Sequence, residues 1–227
     1  MSFQHQNRRQ NKMPRNISGR RRGGGSRGNK RFIFQAIIAA IIAISAWITK
    51  TQTSGKDNSI HETKGEFQVY TNAKLIDHKY NDGDSFFVQH GGNQVQYRLY
   101  YVDCPESRDK PYDDHRQRVT EQGQDLGGLS YKQTIKRGQE AKDFTKKILK
   151  KGNFDVYTKE ESVFGSERQY AFILLNRKGE NTWLHELLIQ KGLARVHTKG
   201  ITTPEEVSFK QHRAYLEKLQ KSALLKE

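Results

Sequence analysis

The chain has 227 residues, 33% of them hydrophobic and 29% charged, with a formal net charge of +15. That length allows one ordinary domain plus appendages, and the lone cysteine, Cys104, excludes an intrachain disulfide and any cysteine-based zinc site. The basic excess says little about the folded part: residues 1–31 hold ten basic residues and no acidic ones, whereas the remainder holds 30 basic and 25 acidic.

Residues 1–31, rich in Arg, Asn, Gln and Gly, cannot bury enough apolar surface to offset their ordering entropy and read as a disordered basic tail. Residues 32–49 form the one long uncharged apolar run. At about 1.5 Å per residue it reaches about 27 Å, the lower end of a bilayer core. The basic residues before it place the N-terminus in the cytoplasm and the rest of the chain outside, as a single-pass membrane protein. The alternative is a cleaved signal peptide and a secreted product, with Ile44-Ser45-Ala46 as the cleavage site. Residues 50–67 are polar and aperiodic and read as a linker.

The folded domain is expected over 68–224. Residues 69–77, 85–90 and 94–102 read as strands rich in Tyr, Phe and Val, with Gly91-Gly92-Asn93 turning between the last two. Residues 107–137 are polar, contain three glycines, and read as a long loop or insertion. A helix follows over 139–151, with Ala141, Phe144, Ile148 and Leu149 on one face. Strands over 153–158 and 170–175, a helix over 182–190, and a third helix opened by Thr203-Pro204-Glu205-Glu206 complete the domain. Strands first and helices later predict an α+β fold, mainly β: a small barrel with about three helices packed on it.

Chemistry concentrates at two neighbouring strand ends. Asp82-Gly83-Asp84-Ser85 precedes one strand, and Arg98 through Val102-Asp103-Cys104-Pro105-Glu106 closes another. A hard divalent cation takes carboxylate and carbonyl oxygens, and Asp84 and Asp103 supply carboxylates if their strands are adjacent. Pro105 stops the strand, so the chain turns and can aim Glu106 back at the site, where it would accept a proton from water or orient it. Arg98 and Arg168 suit the charge that builds on phosphate oxygens. Taken singly, Asp-Gly-Asp is most often a turn and Arg168 a surface residue. His185 reads as a packing or surface histidine, and His90, His115, His197 and His212 show no metal-ligand spacing. Tyr97, Tyr100 and Tyr101 read as strand packing.

The segment from Asp82 to Glu106 resembles the metal-and-arginine segment of the staphylococcal nuclease family. It has that family's Asp-Gly-Asp-[Thr/Ser], its Arg followed by mostly apolar residues, and its Val-Asp-x-Pro-Glu. The spacings are 14, 5 and 3 positions from Asp84 to Arg98, Asp103 and Glu106 in turn. Gly138 to Thr145, Phe164-Gly165 with Arg168 to Phe172, and 181–196 resemble later parts of the same family, so the likeness spans about 69–220. It implies a five-stranded OB-fold barrel with three helices, acting as a monomeric, calcium-dependent endonuclease on DNA and RNA. It implies Asp84, Asp103 and the Cys104 carbonyl as calcium ligands, Glu106 as general base or water-positioning carboxylate, and Arg98 and Arg168 as phosphate-binding residues. Cys104 stands where the family usually has Thr, Ser166-Glu167 is inserted before Arg168, Phe164 replaces a Tyr, and Thr198 lies near the position of a nucleotide-stacking Tyr. The competing reading is a non-catalytic module of the same ancestry that binds nucleic acid or protein.

Overall fold

The computed structural model describes residues 60–177, 180–197 and 199–226; the expected tail, the apolar run at 32–49 and Thr198 lie outside them. Among the described residues no helix is long and apolar enough to cross a membrane. They form nine strands and four helices, an α+β arrangement in which strands dominate the core.

The strands are β1 His61–Lys64, β2 Phe67–Leu75, β3 Ser85–His90, β4 Asn93–Leu99, β5 Val102–Asp103, β6 Phe154–Thr158, β7 Gln169–Arg177, β8 Glu180–Trp183 and β9 Arg195–Val196. β1 lies inside the expected linker and pairs antiparallel with β2. β2 pairs with β3, β3 with β4, β4 with β7, β7 with β6, and β6 again with β2, so five strands hydrogen-bond in a closed cycle. The β4–β7 step is parallel and the others antiparallel. Alternation drives this: Phe67, Val69 and Ala73 of β2, Phe86 and Val88 of β3, and Phe154 and Val156 of β6 turn inward and are buried. Tyr97, Tyr100 and Tyr101 are buried with them, as expected of packing residues.

The expected third strand, 94–102, ends three residues early. Tyr101 has φ of +69°, a left-handed conformation that a bulky residue adopts only where its surroundings fix it. Its amide donates to Lys199 O and its carbonyl accepts from His197 N. The kink lifts Val102–Asp103 out of the main sheet and onto β9, with Asp103 opposite Arg195.

The helices are α1 Asp113–Asp125, α2 Tyr131–Leu149, α3 Leu184–Gln190 and α4 Phe209–Leu224. The expectation of a loop over 107–137 is therefore wrong: the segment holds all of α1 and the first two turns of α2. Asp113 and Asp114 sit in the first turn of α1, where carboxylates favour the helix dipole. Gln133 Oε1 accepts the Ser130 N–H at 2.9 Å at the start of α2. Thr134, Gly138, Ala141, Thr145 and Leu149 line the buried face of α2. α4 starts after Ser208, not Thr203, because Glu206 has φ of +64° and cannot lie in a helix interior. Thr203 closes a turn instead, its Oγ1 accepting from Val207 N at 3.2 Å.

Candidate active site

The register of three strands builds one end of the site. Ser85 lies opposite Arg98, and Arg98 beside Tyr170 across the parallel β4–β7 pair, which brings the residue before β7, Arg168, alongside. The Asp82-Gly83-Asp84 turn is held from behind by Thr145 of α2, whose Oγ1 donates to Gly83 O at 2.7 Å. Gly83 is required there: a Cβ would fall 2.8 Å from Cys104 Sγ and 3.0 Å from Ala141 Cβ. The Cys104 thiol therefore packs against the turn. Gly138 plays the matching part under Glu106, since a Cβ there would collide with the Pro105 and Glu106 carbonyls.

Asp84, Arg98, Asp103, Cys104, Glu106 and Arg168 all line one cleft of about 820 Å³. Arg98 joins the two aspartates, donating from one terminal nitrogen to Asp84 Oδ1 at 3.2 Å and from the other to Asp103 Oδ1 at 2.7 Å. Asp84 Oδ2 accepts the Cys104 N–H at 2.8 Å. Arg168 bonds hydroxyls, Ser166 Oγ from Nε at 3.2 Å and Ser85 Oγ from a terminal nitrogen at 3.3 Å, and makes no carboxylate ion pair among the described residues.

The electrostatics separate the two aspartates. Burial raises the Asp84 carboxyl, against the pull of Arg98. Burial also pushes Asp103 up, but Arg118, Arg98, a hydrogen bond from Gln122, and Arg195 together hold it below the ordinary carboxylate range. Asp82, buried and beside Asp84, is raised to about 6. Burial and neighbouring Arg98 lower Arg168.

Three residues here escaped the sequence reading. Arg118 of α1 donates to Asp103 Oδ1 at 2.8 Å and to Glu106 Oε1 at 3.2 Å. Gln122, one turn on, donates to Asp103 Oδ2 at 2.9 Å and to Cys104 O at 3.1 Å, and accepts the Glu106 N–H at 3.1 Å. Arg195 of β9 bonds Asp103 Oδ2 at 3.0 Å and Asp125 of α1 at 2.6 Å. The i, i+4, i+7 spacing of Arg118, Gln122 and Asp125 was the available signal, once the segment is read as a helix.

The carboxylate and carbonyl oxygens, beside a Cys104 thiol that burial keeps protonated, suit a hard cation and not a thiolate-seeking one. Among the described residues Asp84 Oδ2 accepts one bond, from Cys104 N, whereas each Asp103 oxygen accepts from two side chains. Chemically, the arrangement offers carboxylates for a cation or a water proton beside guanidinium groups for an anion.

No curated protein matches the chain. Residues 96–225 match the family model described as staphylococcal nuclease homologue, a span that includes Arg98, Asp103, Glu106, Arg118 and Arg168 and begins after Asp84. Matching more than half of the chain, on a fold whose cleft gathers these residues, it shows that the chain belongs to the staphylococcal nuclease homologue family.

Proposed function

We propose that the chain is a calcium-dependent phosphodiesterase that cleaves DNA and RNA internally, its closed five-strand cycle being the barrel of an OB fold. The observation that carries this reading is the convergence of Asp84, Asp103, Glu106, Arg98 and Arg168 on one cleft. Asp84, Asp103 and the Cys104 carbonyl would hold the cation, which when bound supplies Lewis-acid polarisation of a phosphoryl oxygen. Arg168, with no carboxylate of its own, binds a non-bridging phosphate oxygen and stabilises the charge that builds there. Arg98 adds a second cationic group while keeping the two aspartates in register. Glu106, its backbone N–H held by Gln122, takes the proton of the attacking water.

The same reading puts the domain outside the cytoplasm, tethered by residues 32–49, with the basic residues before them retained inside. Protease added to intact spheroplasts would then degrade the domain, and full protection would reverse the orientation. A mature N-terminus just after residue 46 would show a cleaved signal instead. One observation favours the non-catalytic alternative: Asp103 is bound by three guanidinium groups, an arrangement that also suits a module that only binds phosphate backbones. Nicking of supercoiled plasmid by the full-length protein decides between them. Calcium-dependent nicking that stops in chelator is expected; binding without nicking sinks the enzyme.

A further inference from the structure

A carboxylate offers about four acceptor positions, and at Asp103 all are taken. Oδ1 accepts from Arg98 and Arg118, and Oδ2 from Gln122 and from Arg195. A cation reaching this carboxylate must displace one of these donors. They are not equally removable. Gln122 is fully buried, and the Arg98 and Arg195 side chains are 10% and 6% exposed, whereas Arg118 is 46% exposed. Withdrawing a buried guanidinium leaves an unpaired charge in low dielectric. A half-exposed one swings into water at small cost.

Arg118 also blocks the second carboxylate, through its 3.2 Å contact with Glu106 Oε1. One side chain therefore engages the group that would bind metal and the group that would take the proton. Its departure need not disturb the helix. α1 stays pinned by the Gln122 bonds, by Asp125 to Arg195, and by Gln220 Nε2 donating to Asp125 O at 3.0 Å.

We propose that Arg118 is an exchangeable internal cation: it holds Asp103 and Glu106 closed until a divalent cation displaces it. This rests on reading Asp84 and Asp103 as metal ligands. The guanidinium that leaves stays at the rim of the same cleft, so the exchange that admits the metal also frees a positive group for substrate phosphate. α1 is thereby a latch contributed by the very segment that the barrel does not need.

The test is calorimetric titration of the full-length protein with calcium, comparing wild type with Arg118→Met and Arg118→Lys. Removing the competing guanidinium should tighten calcium binding about tenfold or more in Arg118→Met, the low end of what a charge-assisted hydrogen bond is worth, with Arg118→Lys in between. Equal or weaker binding by Arg118→Met overturns the exchange, as does calcium binding by none of the three. Should Arg118→Met fail to fold, Arg118→Lys binding no tighter than wild type overturns it equally. Cleavage measured in parallel separates the two readings: tighter calcium binding by Arg118→Met with no nicking by any form supports the exchange and retires the nuclease.

Discussion

Two of the buried polar clusters among the described residues are built on opposite terms. At the cleft, Asp84 and Asp103 sit among Arg98, Arg118 and Arg195, in a multiply bonded cluster of ionisable groups. Between α3 and α4, His185 and His212 share one bond, Nε2 to Nε2 at 2.8 Å, with Glu186 Oε1 4.0 Å from His212. The second cluster has the residue types of a metal site, all within 4.8 Å. Its geometry says otherwise: two imidazoles on one tetrahedral zinc lie about 3.3 Å apart, given Zn–N of about 2.0–2.1 Å, whereas 2.8 Å is a hydrogen bond. The unpartnered Nδ1 of His185 assigns the shared proton to His185 Nε2, because a bare acceptor is less costly to bury than a bare donor. Tyr101 stacks on His185 and meets His212 edge-on, at 6.1 and 4.9 Å between ring centroids. The histidine pair is a neutral piece of core. The difference teaches that residue type and proximity do not make a site; charge held beside an open cleft does.

The sharpest way to break that comparison is to delete one member of each cluster. Asp103→Ala leaves four donors without their shared acceptor and the buried Arg98 and Arg195 with only Asp84 and Asp125 as counter-charges, and should destabilise the protein by about 3–5 kcal/mol and abolish cleavage. His185→Leu leaves His212 Nε2 without its partner in an aromatic surround and should cost about 1–3 kcal/mol. Urea denaturation of the full-length proteins measures both. Comparable losses would show that the histidine pair is as structurally committed as the charged cluster.

Within the cleft, Arg98 and Arg168 separate holding from acting. Each replacement by Ala should slow cleavage by about 10²-fold, the usual effect of losing one preorganised donor. Only Arg98→Ala should also lower the melting temperature, because only Arg98 bridges the two aspartates. Full activity in Arg168→Ala would remove it from the phosphate site and leave Arg177 as the next candidate.

The strand half of this cleft was legible and the helical half was not, for a physical reason. Asp84, Arg98, Asp103 and Glu106 lie on or beside strands whose apolar alternation is plain, and a proline marks the turn that follows. α1 reads DDHRQRVTEQGQD, with Val119 its one aliphatic residue. It is held not by an apolar stripe but by polar bonds from Arg118, Gln122 and Asp125 into the site, so hydrophobic periodicity is silent about it. Arg195 was hidden differently: it reaches Asp103 through a two-residue strand pairing that depends on the kink at Tyr101. The same kink cut short the expected strand, and the left-handed Glu206 moved the start of the last helix. The Tyr101 conformation is set by its bonds to Lys199 and His197, far along the chain, and that of Glu206 by the turn that Thr203 closes.

The smallest expected effect is a pH slope at the neutral cluster. Burial pushes His185 well below the ordinary imidazole range, helped by the nearness of His212, and burial lowers His212 too. Unfolded histidines, with a pKa of about 6.5, bind protons that the folded pair refuses. The pair's contribution is therefore intact above that value and lost as pH falls below it. Glu186 works in the opposite sense. Burial, then the nearby Glu205, raise its carboxyl to about 7, with a bond from Tyr215 opposing. The folded side chain thus keeps a proton that the unfolded one releases above about 4.3, and this contribution is complete at low pH and lost as pH rises through about 7. Between about pH 4.5 and 6.5 the two oppose each other. Glu186→Gln removes only the second, so its urea midpoint should fall more steeply than that of wild type on acidification from pH 6.5 to 4.5. Asp82, raised to about 6, is common to both proteins and cancels. His185→Leu should flatten the same limb. Parallel midpoint curves for wild type and Glu186→Gln would show that protonation of Glu186 is not tied to folding, and would leave the histidine pair to account for any acid slope alone.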